Sequence, residues 1–352
     1  MSLDEALPAT SIVEVHHHTY AFGATHALSE FLIRRAGHFV LVEHPFMHHR
    51  FRRSRMITYQ QGRKIGLVEG PRVAAPEIVL FAKDLLLTIY FLLSSKRRFG
   101  LYIGADPLNT VAGLFLRRLG RVKVVVFYVI DYTPIRFRSP FKNILYHWLR
   151  IVSTRKADFV WNISKRIQSL NSSLRSRGNM LVPSGVYASK QRQLSTQISK
   201  RGRTLLFVGH LDRSKGVQLA VEAMPIIIKA VGDVKLKIVG TGPMKHELEK
   251  QIARNRLERW VELVGYLPKY EDVLAMMASS AVGLAPYLPD PMNISVFADP
   301  AKPKEYLASG LPVIITAVPE IAHNIARSKA GIIIAYNKQE LAEAAVSLLV
   351  NP

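Results

Sequence analysis

The chain contains no cysteine, which excludes a disulfide framework, a thiolate metal site and a cysteine nucleophile. Acidic side chains are also scarce, because 26 Asp and Glu stand against 48 Lys and Arg in 352 residues. The deficit is uneven: residues 1–185 hold 27 basic and 11 acidic side chains, and residues 186–352 hold 21 and 15. We therefore expect an anionic partner mainly on the first half. Nucleic acid, an anionic membrane or a phosphorylated substrate would each account for this excess of basic side chains.

Long uncharged apolar runs are also lacking. The most apolar window, residues 78–95, has Lys83 and Asp84 at its centre, where the core of a bilayer would disfavour them. The window predicts a helix that packs inside its domain or lies at a membrane surface, and not one that crosses. The first residues carry no basic-then-apolar signal pattern, so we expect a cytoplasmic protein.

Strand and helix patterns alternate in both halves of the chain. Residues 12–16 and 39–43 predict strands on either side of a loop at Gly23 and an amphipathic helix. The alternation restarts at residue 204, which predicts an α/β protein with two doubly wound, Rossmann-like domains. Residues 184–202 are rich in Ser, Gln, Lys and Arg without apolar periodicity. The predicted division is a domain at 1–183, a linker at 184–202 and a domain at 203–352.

Three consecutive histidines, His16, His17 and His18, suggest a metal site at first sight. Neighbouring residues on a strand point to opposite faces, so the three side chains cannot all reach one ion. We expect histidines at a strand end that are packed or solvated, and no metal.

The stretch 299–312, DPAKPKEYLASGLP, predicts a short helix. Pro303 suits the start of a helix, and Gly310 with the following Leu-Pro marks its end. The N-terminus of such a helix favours an anion such as diphosphate, with Lys302 as a point charge and Glu305 as an acceptor for hydroxyl groups. Sugar nucleotides carry both groups. The alternative is that Glu305 only caps the helix.

Two further loops follow predicted strands. In the first, GHLDRSKG at 209–216, two glycines bracket His210, Arg213 and Lys215 at a strand-to-helix turn, which offers backbone approach and cations for a phosphate. The second is GTGP at 240–243. In the first half Asp131 ends a predicted strand, where active sites of α/β proteins collect their side chains. A turn or capping role for Asp131 remains the alternative.

These three elements of the second half together resemble the C-terminal domain of GT-B fold glycosyltransferases, most closely family 4. The resemblance implies two Rossmann-like domains facing across a cleft, with the acceptor on the first and a nucleoside diphosphate sugar on the second. It implies that Lys215 binds the donor diphosphate and Glu305 the ribose. It gives Asp131, Lys215 and Glu305 as catalytic candidates, and as donor-binding candidates Gly23, His210, Arg213, Lys215, Gly240, Gly242, Asp299, Lys302 and Glu305. No metal cofactor is expected.

The chain departs from the family pattern at several positions. His210 stands where the family has a phosphate-binding arginine, a role that Arg213 would take over. Phe297 replaces a glutamate that contacts the donor sugar in many members, leaving Asp299 or Asn293 as substitutes. Ile130 stands where many members carry a histidine. The chain ends at Pro352, before the long terminal helix usual in the family, so we expect a truncation or a missing element.

The expected function is transfer of a sugar, with retention of configuration, to a glycan or lipid-linked acceptor in polysaccharide biosynthesis. One alternative is a GT-B-shaped binding protein that has lost catalysis, suggested by Phe297 and Ile130. Nucleic-acid binding is disfavoured because the basic residues lack interleaved exposed aromatics. The basic run at 50–55 beside the apolar window predicts peripheral contact with an anionic inner membrane face, against the alternative of a solvated loop beside a core helix. The predicted contact residues are Arg50, Arg52, Arg53 and Arg55.

Overall fold

The computed structural model describes residues 7, 9–18, 23–45, 53–186 and 202–350. The chain divides into two compact units, Met1–Gly185 and Val186–Pro352. Most of the predicted linker, residues 187–201, lies outside the described residues.

The first unit is built on an eight-stranded sheet with the strand order β4-β3-β2-β1-β5-β6-β7-β8. Neighbouring strands are parallel from β2 through β1 to β8, and β2, β3 and β4 are antiparallel to one another in turn. The strands are β1 (Ser11–His18), β2 (His38–Pro45), β3 (Arg55–Gln60), β4 (Arg63–Glu69), β5 (Phe99–Gly104), β6 (Val122–Val129), β7 (Phe159–Asn162) and β8 (Asn179–Leu181).

The helices of this unit are α1 (Ala24–Arg35), α2 (Glu77–Ser94), α3 (Pro107–Arg118), α4 (Pro140–Lys156) and α5 (Lys165–Ser172). Helices α3 and α4 each begin with a side-chain N-cap that is followed by proline. Asp106 caps α3 by accepting a hydrogen bond from Asn109 N at 2.8 Å, and Ser139 caps α4. Helix α3 packs against both α2 and α4, so these three helices form one layer. None of the described helices is long and apolar enough to cross a membrane.

The β3–β4 hairpin was not predicted. Its turn, Gln61-Gly62, has φ of 47° and 80°, the conformation that a two-residue hairpin turn requires. The arginine-rich run before it suggested a loop through residue 55, but Arg55 is the first residue of β3.

The second unit is a fully parallel six-stranded sheet in the order β11-β10-β9-β12-β13-β14. Helices α6 (Val217–Val231), α7 (Lys245–Arg254), α8 (Tyr270–Ser279), α9 (Ala301–Ala308), α10 (Ile321–Arg327) and α11 (Lys338–Val350) connect or follow the strands. The doubly wound α/β pattern predicted for both halves is confirmed. The strands are β9 (Thr204–Val208), β10 (Lys235–Val239), β11 (Val261–Gly265), β12 (Val282–Ala285), β13 (Val313–Thr316) and β14 (Gly331–Ile334).

Each sheet reverses its strand order at one point. In the second unit the reversal lies between β9 and β12, and in the first between β1 and β5. Ligands of doubly wound proteins bind outside the carboxyl ends of the strands at such a switch point. The residues that follow these four strands are therefore the first place to look for a site.

Candidate functional site

The loops after β9 and β12 meet at the switch point of the second unit. A Cβ on Gly216 would lie 1.7 Å from the carbonyl oxygen of Pro286, and the φ of Gly216 is +74°. Only glycine fits this position, for both reasons. The turn before it is fixed by Asp212, whose carboxylate accepts from Ser214 N at 2.8 Å, and Leu288 N donates to Ser214 O at 3.0 Å.

Lys215 is directed into this junction. Its Nζ donates to the hydroxyl of Ser295 at 2.9 Å and lies 5.6 Å from the ring centroid of Tyr287. Burial lowers the pKa of Lys215, against the opposing charge of Asp212. A partly desolvated cation at a strand-end switch point is suited to binding an anionic ligand.

Glu305 lies on α9, as predicted, and is fully buried. Its Oε2 accepts from Lys302 Nζ at 2.6 Å, whereas Oε1 is buried without a hydrogen-bond partner among the described residues. A buried carboxylate oxygen left unpaired is costly, so this atom points to a donor group supplied by a ligand. Lys302 also lies 5.7 Å from the ring centroid of Tyr270.

The neighbouring Tyr306 fixes the position of this helix. Its hydroxyl accepts from Val208 N at 2.7 Å, at the end of β9, and its ring covers Gly283 of β12, where a Cβ would lie 2.4 Å from the ring. The ring of Tyr287 lies 5.6 Å from Lys215 Nζ, and burial followed by the charge of Glu305 raises the pKa of Tyr287. Lys215 and Glu305 are thus positioned around the same strand ends.

The other predicted donor-binding residues have different surroundings. His210 and Arg213 are exposed; the charge of His210 acts on Asp212, and that of Arg213 acts on Tyr336. A Cβ on Gly240 would lie 1.9 Å from Gly209 O, and one on Gly242 would lie 2.5 Å from Leu211 O. These two glycines therefore allow the two loops to pack backbone against backbone.

The residues expected to replace the missing sugar-contacting glutamate are already engaged. Asp299 forms an ion pair with Lys304. The amide of Asn293 donates to Ser214 O at 2.9 Å and to Leu288 O at 2.8 Å, so both of its hydrogens hold the loop. Sequence reasoning missed Ser295 and Tyr287, which contact Lys215. No spacing rule identifies a serine eighty residues away from the lysine that it binds.

In the first unit Asp131 follows β6, as predicted. Arg136 Nη1 lies 3.0 Å from both carboxylate oxygens of Asp131 and the guanidinium lies 5.0 Å from the ring centroid of Tyr146. Burial opposes the charge on Arg136, but Asp131 raises its pKa above the ordinary value. Gly23 precedes α1 with an extended φ of −151°, which any residue adopts, and its carbonyl accepts from Ala27 N.

His16 and His17 are packed against carboxylates at the end of β1. Burial lowers the pKa of His16, but the carboxylates of Glu14 and Glu43 raise it to about 9. Burial likewise lowers the pKa of His17, and Asp106, whose Oδ2 lies 2.8 Å from Nδ1, raises it to about 9 together with Asp84. The two imidazoles are therefore cationic at neutral pH.

Asp84 of α2 is the centre of this polar cluster. Its carboxylate lies 3.4 Å from His17, 3.2 Å from His44 and 2.7 Å from Lys83. Burial would raise the pKa of Asp84, but the hydrogen bonds from the two histidines hold it well below the usual range. Within the described part of the chain, no group of three or more His, Asp and Glu is arranged to hold a metal ion. The side chain of His18 lies outside the described residues.

The predicted membrane-contact arginines are only partly described. Arg50 and Arg52 lie outside the described residues. Arg53 is 3.4 Å from Glu69 at the surface, and Arg55 Nε is 2.5 Å from the largely buried Glu43. Arg55 is therefore bound to the polar cluster and does not belong to a solvated loop.

Residues 202–351 match the family model for glycosyl transferases, group 1. The amylovoran biosynthesis glycosyltransferase AmsK of Erwinia amylovora is 31% identical over 125 residues, which are 34% of this chain and 30% of AmsK. The chain thus matches less than a third of the length of this relative. The resemblance predicted from the motifs at 209–216 and 299–312 is confirmed for the second unit.

The fold is shared with solved glycosyltransferases along nearly the whole chain. WaaG, a glycosyltransferase involved in lipopolysaccharide biosynthesis, superposes with a TM-score of 0.67 at 16% identity, over 97% of this chain and 90% of WaaG. HepE of Anabaena, in complex with UDP and glucose, gives a TM-score of 0.59 at 15% identity and the same coverage. The expected GT-B fold class is confirmed by these likenesses.

Proposed function

We propose that this protein, whose residues 202–351 form a group 1 glycosyl transferase domain, transfers a sugar from a nucleoside diphosphate sugar to a glycan or lipid-linked acceptor in polysaccharide biosynthesis. The second unit binds the donor and the first unit the acceptor, with the domains divided at the predicted linker. Retention of configuration follows from the family resemblance.

The observation that carries this proposal is the buried Glu305 carboxylate. One oxygen is neutralised by Lys302 and the other has no partner among the described residues. A ribose hydroxyl would donate to that oxygen and remove the cost of an unpaired buried acceptor. Helix α9 begins at Ala301, four residues before Glu305, and the N-terminal N–H groups of a helix favour an anion such as the diphosphate.

Lys215 supplies the charge that the reaction needs at the leaving group. Departure of a nucleoside diphosphate develops negative charge on its bridging oxygen, and a partly desolvated ammonium group stabilises this charge more strongly than a fully hydrated one. Ser295 and Tyr287 hold Lys215 in place. The side chains of this site suffice for this without a metal ion. Asp131 remains a candidate for acceptor orientation at the switch point of the first unit.

The acceptor side of the proposal rests on less specific features. The strong basic excess of the first half supports an acceptor carried at an anionic membrane surface, on the cytoplasmic side. Nucleic acid is not part of the proposal. The match of residues 202–351 to the group 1 glycosyl transferase model, together with glycosyltransferase relatives such as AmsK, favours transfer over a binding protein that has lost catalysis.

A donor screen tests the proposal. The protein is incubated with a panel of nucleotide sugars, and slow hydrolysis that releases nucleoside diphosphate is measured. We expect one donor to be hydrolysed faster than the others, and the rate to fall in the Glu305→Ala variant. Binding of nucleoside diphosphates with no hydrolysis of any donor would favour the binding-protein alternative.

A further inference from the structure

The amino ends of the strands in the first sheet form a strongly basic edge. Six segments of the chain meet there and hold 14 Lys and Arg against one acidic residue, Asp158. Residues 1–185 have 27 basic side chains in all, so about half of the cations of this unit belong to this one edge. We call this surface the amino edge, and it consists of residues 34–37, 61–64, 95–98, 117–121, 155–158 and 175–178.

The sheet topology brings these segments into one row. Five of them lead directly into β2, β5, β6, β7 and β8, which run parallel, so these five lie at the same end of the sheet. The sixth is the β3–β4 turn, and it joins the row because Gln60 pairs with both His38 and Arg63. Eight strands about 4.8 Å apart make the row about 34 Å long.

Three of these cations brace the fold and are partly buried. Arg117 Nη1 lies 2.5 Å from the Asp158 carboxylate, and Arg175 Nη2 donates to the carbonyl oxygen of the same residue at 2.7 Å. Arg121 donates to Leu93 O at 3.2 Å. The one carboxylate of the edge is thus already neutralised. The other eleven cations are exposed, and they are Arg34, Arg35, Arg63, Lys64, Lys96, Arg97, Arg98, Arg118, Arg155, Lys156 and Arg177.

The helix dipole does not explain the whole row. Cations stabilise the last turn of a helix, and Arg34, Arg118 and Arg155 lie in such turns. Arg63, however, follows a hairpin turn and Arg98 directly precedes β5, so neither lies in a helical turn. Eleven exposed like charges along one edge repel one another, and a polyanion bound there would remove that repulsion.

The shape and chemistry of the row indicate an extended, carboxylated polymer. A row of this length is much longer than a nucleotide and contacts a chain along many of its units. Eleven of the 14 cations are arginine, whose planar guanidinium group binds a carboxylate through two parallel hydrogen bonds, whereas lysine is a point charge. A polysaccharide of acidic sugars carries carboxylates at regular intervals, and a glycan is the polymer on which the proposed function acts.

The amino edge lies at the end of the sheet opposite the candidate acceptor site. Asp131 follows the carboxyl end of β6, and the eight residues of this strand separate the two ends by about 26 Å. The amino edge is therefore too far away to bind the sugar that reacts. It is placed to bind units farther along the same chain, behind the growing end.

We propose that the amino edge of the first sheet is a binding site for an acidic polysaccharide chain, whose carboxylates lie against the exposed arginines. The inference rests on the proposed glycan acceptor and gives that acceptor a class, a polymer of carboxylated sugars. Such a site keeps a long acceptor bound between successive transfers, because many weak contacts act at high effective concentration. Short or neutral acceptors gain nothing from it.

Fluorescence anisotropy with an end-labelled oligogalacturonate, a linear chain of carboxylated sugars, tests the site without a donor. We expect binding that weakens in high salt because the contacts are exposed. The matched ligand is the same oligosaccharide after its carboxyl groups are reduced to alcohols, and it should bind at least about tenfold more weakly. Equal binding of the charged and the reduced chains would overturn the proposal.

A charge-removal variant locates the site on the edge. It should weaken oligogalacturonate binding by more than about tenfold, whereas a control that removes the same net charge from exposed positions of the second unit should stay within about twofold. Equal losses in both would mean that net charge alone attracts the glycan, and would overturn the site. The edge variant is Arg97→Ser/Arg98→Ser/Arg118→Ser/Lys156→Ser, and the control is Lys229→Ser/Lys250→Ser/Arg254→Ser/Lys338→Ser.

Two other polyanions test the choice of partner. Single-stranded oligodeoxythymidine with the same number of charges and phosphatidylglycerol vesicles are used as competitors of the labelled oligogalacturonate. We expect both to compete less well than the unlabelled oligogalacturonate. Tighter binding of either one, abolished in the edge variant, would assign the edge to nucleic acid or to lipid and overturn the glycan proposal.

The outcomes separate this inference from the proposed function. The edge variant should bind nucleoside diphosphate and hydrolyse the donor at the unchanged rate, which also shows that it is folded. Donor hydrolysis without oligogalacturonate binding would remove the amino edge as a site and leave transfer in place. Oligogalacturonate binding that the edge variant loses, without hydrolysis of any donor, would support the site and count against transfer.

Discussion

The two units place polar and apolar side chains in opposite ways. In the second unit the large apolar residues lie inside, and the described residues expose only Tyr266, Met292 and Val350 among large apolar side chains. The first unit buries histidines and carboxylates towards the carboxyl ends of β1 and β2, and it exposes large apolar side chains such as Leu86, Phe141 and Trp148. The comparison teaches that the ligand site of the second unit, built from loops at strand ends, leaves the usual burial of apolar side chains intact, whereas the first unit departs from it both inside and at its surface.

The largest effect should come from the backbone junction of the second unit. Gly216→Ala combines a left-handed φ with a Cβ 1.7 Å from Pro286 O, so we expect unfolding free energy to fall by about 3 kcal/mol or more. Gly120→Ala in the first unit is the matched control, since its φ is +68° with open space around it. It should cost about 1–2 kcal/mol. If denaturant titrations gave equal losses of unfolding free energy for the two variants, the close contact between Gly216 and Pro286 would not contribute to stability.

The next effect concerns pH and the first unit. The folded-state pKa values of His16 and His17 are raised from 6.5 to about 9, so their stabilising contribution is complete below pH 6.5 and is lost as the pH rises through 9. The pKa of Glu43 is lowered from 4.5 to about 2, so its contribution holds above pH 4.5 and is lost towards pH 2. The first unit should therefore be most stable between pH 4.5 and pH 6.5.

Hydrogen exchange measures this difference by region. After correction for intrinsic rates, protection of peptides from β1 should decrease between pH 6.5 and 9 by an amount on the order of a few kcal/mol. Peptides from β10, which lies away from titrating clusters, serve as the reference. If the protection of β1 and β10 peptides decreased equally, the loss of stability could not be assigned to His16 and His17.

Lys215→Ala tests the cation of the second unit. We expect the affinity for nucleoside diphosphate to fall by about 1.5–3 kcal/mol, the range of a hydrogen bond to a charged group. Calorimetry gives the measurement, with Lys245→Ala as the control because that lysine is half exposed on α7. Unchanged affinity of the Lys215 variant would remove the loop from the site.

Glu305→Ala tests the ribose assignment at about the same magnitude. The variant should lose affinity for nucleoside diphosphate by about 1.5–3 kcal/mol, but much less for inorganic diphosphate, which has no ribose. Glu262→Ala, an exposed carboxylate of β11, is the control. Equal losses for the two ligands would show that Glu305 acts on the phosphates or only on the fold.

The smallest effect is expected at Ser295, a residue without a motif. Ser295→Ala removes the hydroxyl that accepts from Lys215 at 2.9 Å and should weaken diphosphate by about 0.5–1.5 kcal/mol. Ser279→Ala changes an exposed hydroxyl at the end of α8 and should have no effect. A loss as large as that of Lys215→Ala would mean that Ser295 contacts the ligand itself.

The second unit was the more predictable of the two. Glycine and proline around Lys215 and Glu305 encode turns and the presence of a short helix, which are local properties of the sequence, although α9 begins at Ala301 and not at the predicted Pro303. The contact of Ser295 with Lys215 depends on how far two loops extend, which no local rule gives. For Asn293 the residue type suggested a sugar contact, but its amide holds Ser214 and Leu288 in place.

The first unit was predicted in outline only. Its parallel strands and the α2 helix follow from apolar periodicity. The histidine–carboxylate cluster joins residues of β1, β2 and two helices, so it becomes visible only when strand order is known. The inward direction of Asp84 likewise depends on partners brought by the fold, His17 and His44, and hydropathy alone would have placed it outside.

Strand β4 has a practical consequence for handling the protein. It ends the sheet order of the first unit, and Ile65, Leu67 and Val68 on it are about half exposed. An edge strand of this composition invites pairing with a second copy, and the exposed Arg63 and Lys64 oppose this by mutual repulsion. Concentrated salt screens that repulsion. Storage at high ionic strength should therefore promote slow aggregation through β4, even where the rest of the fold is intact.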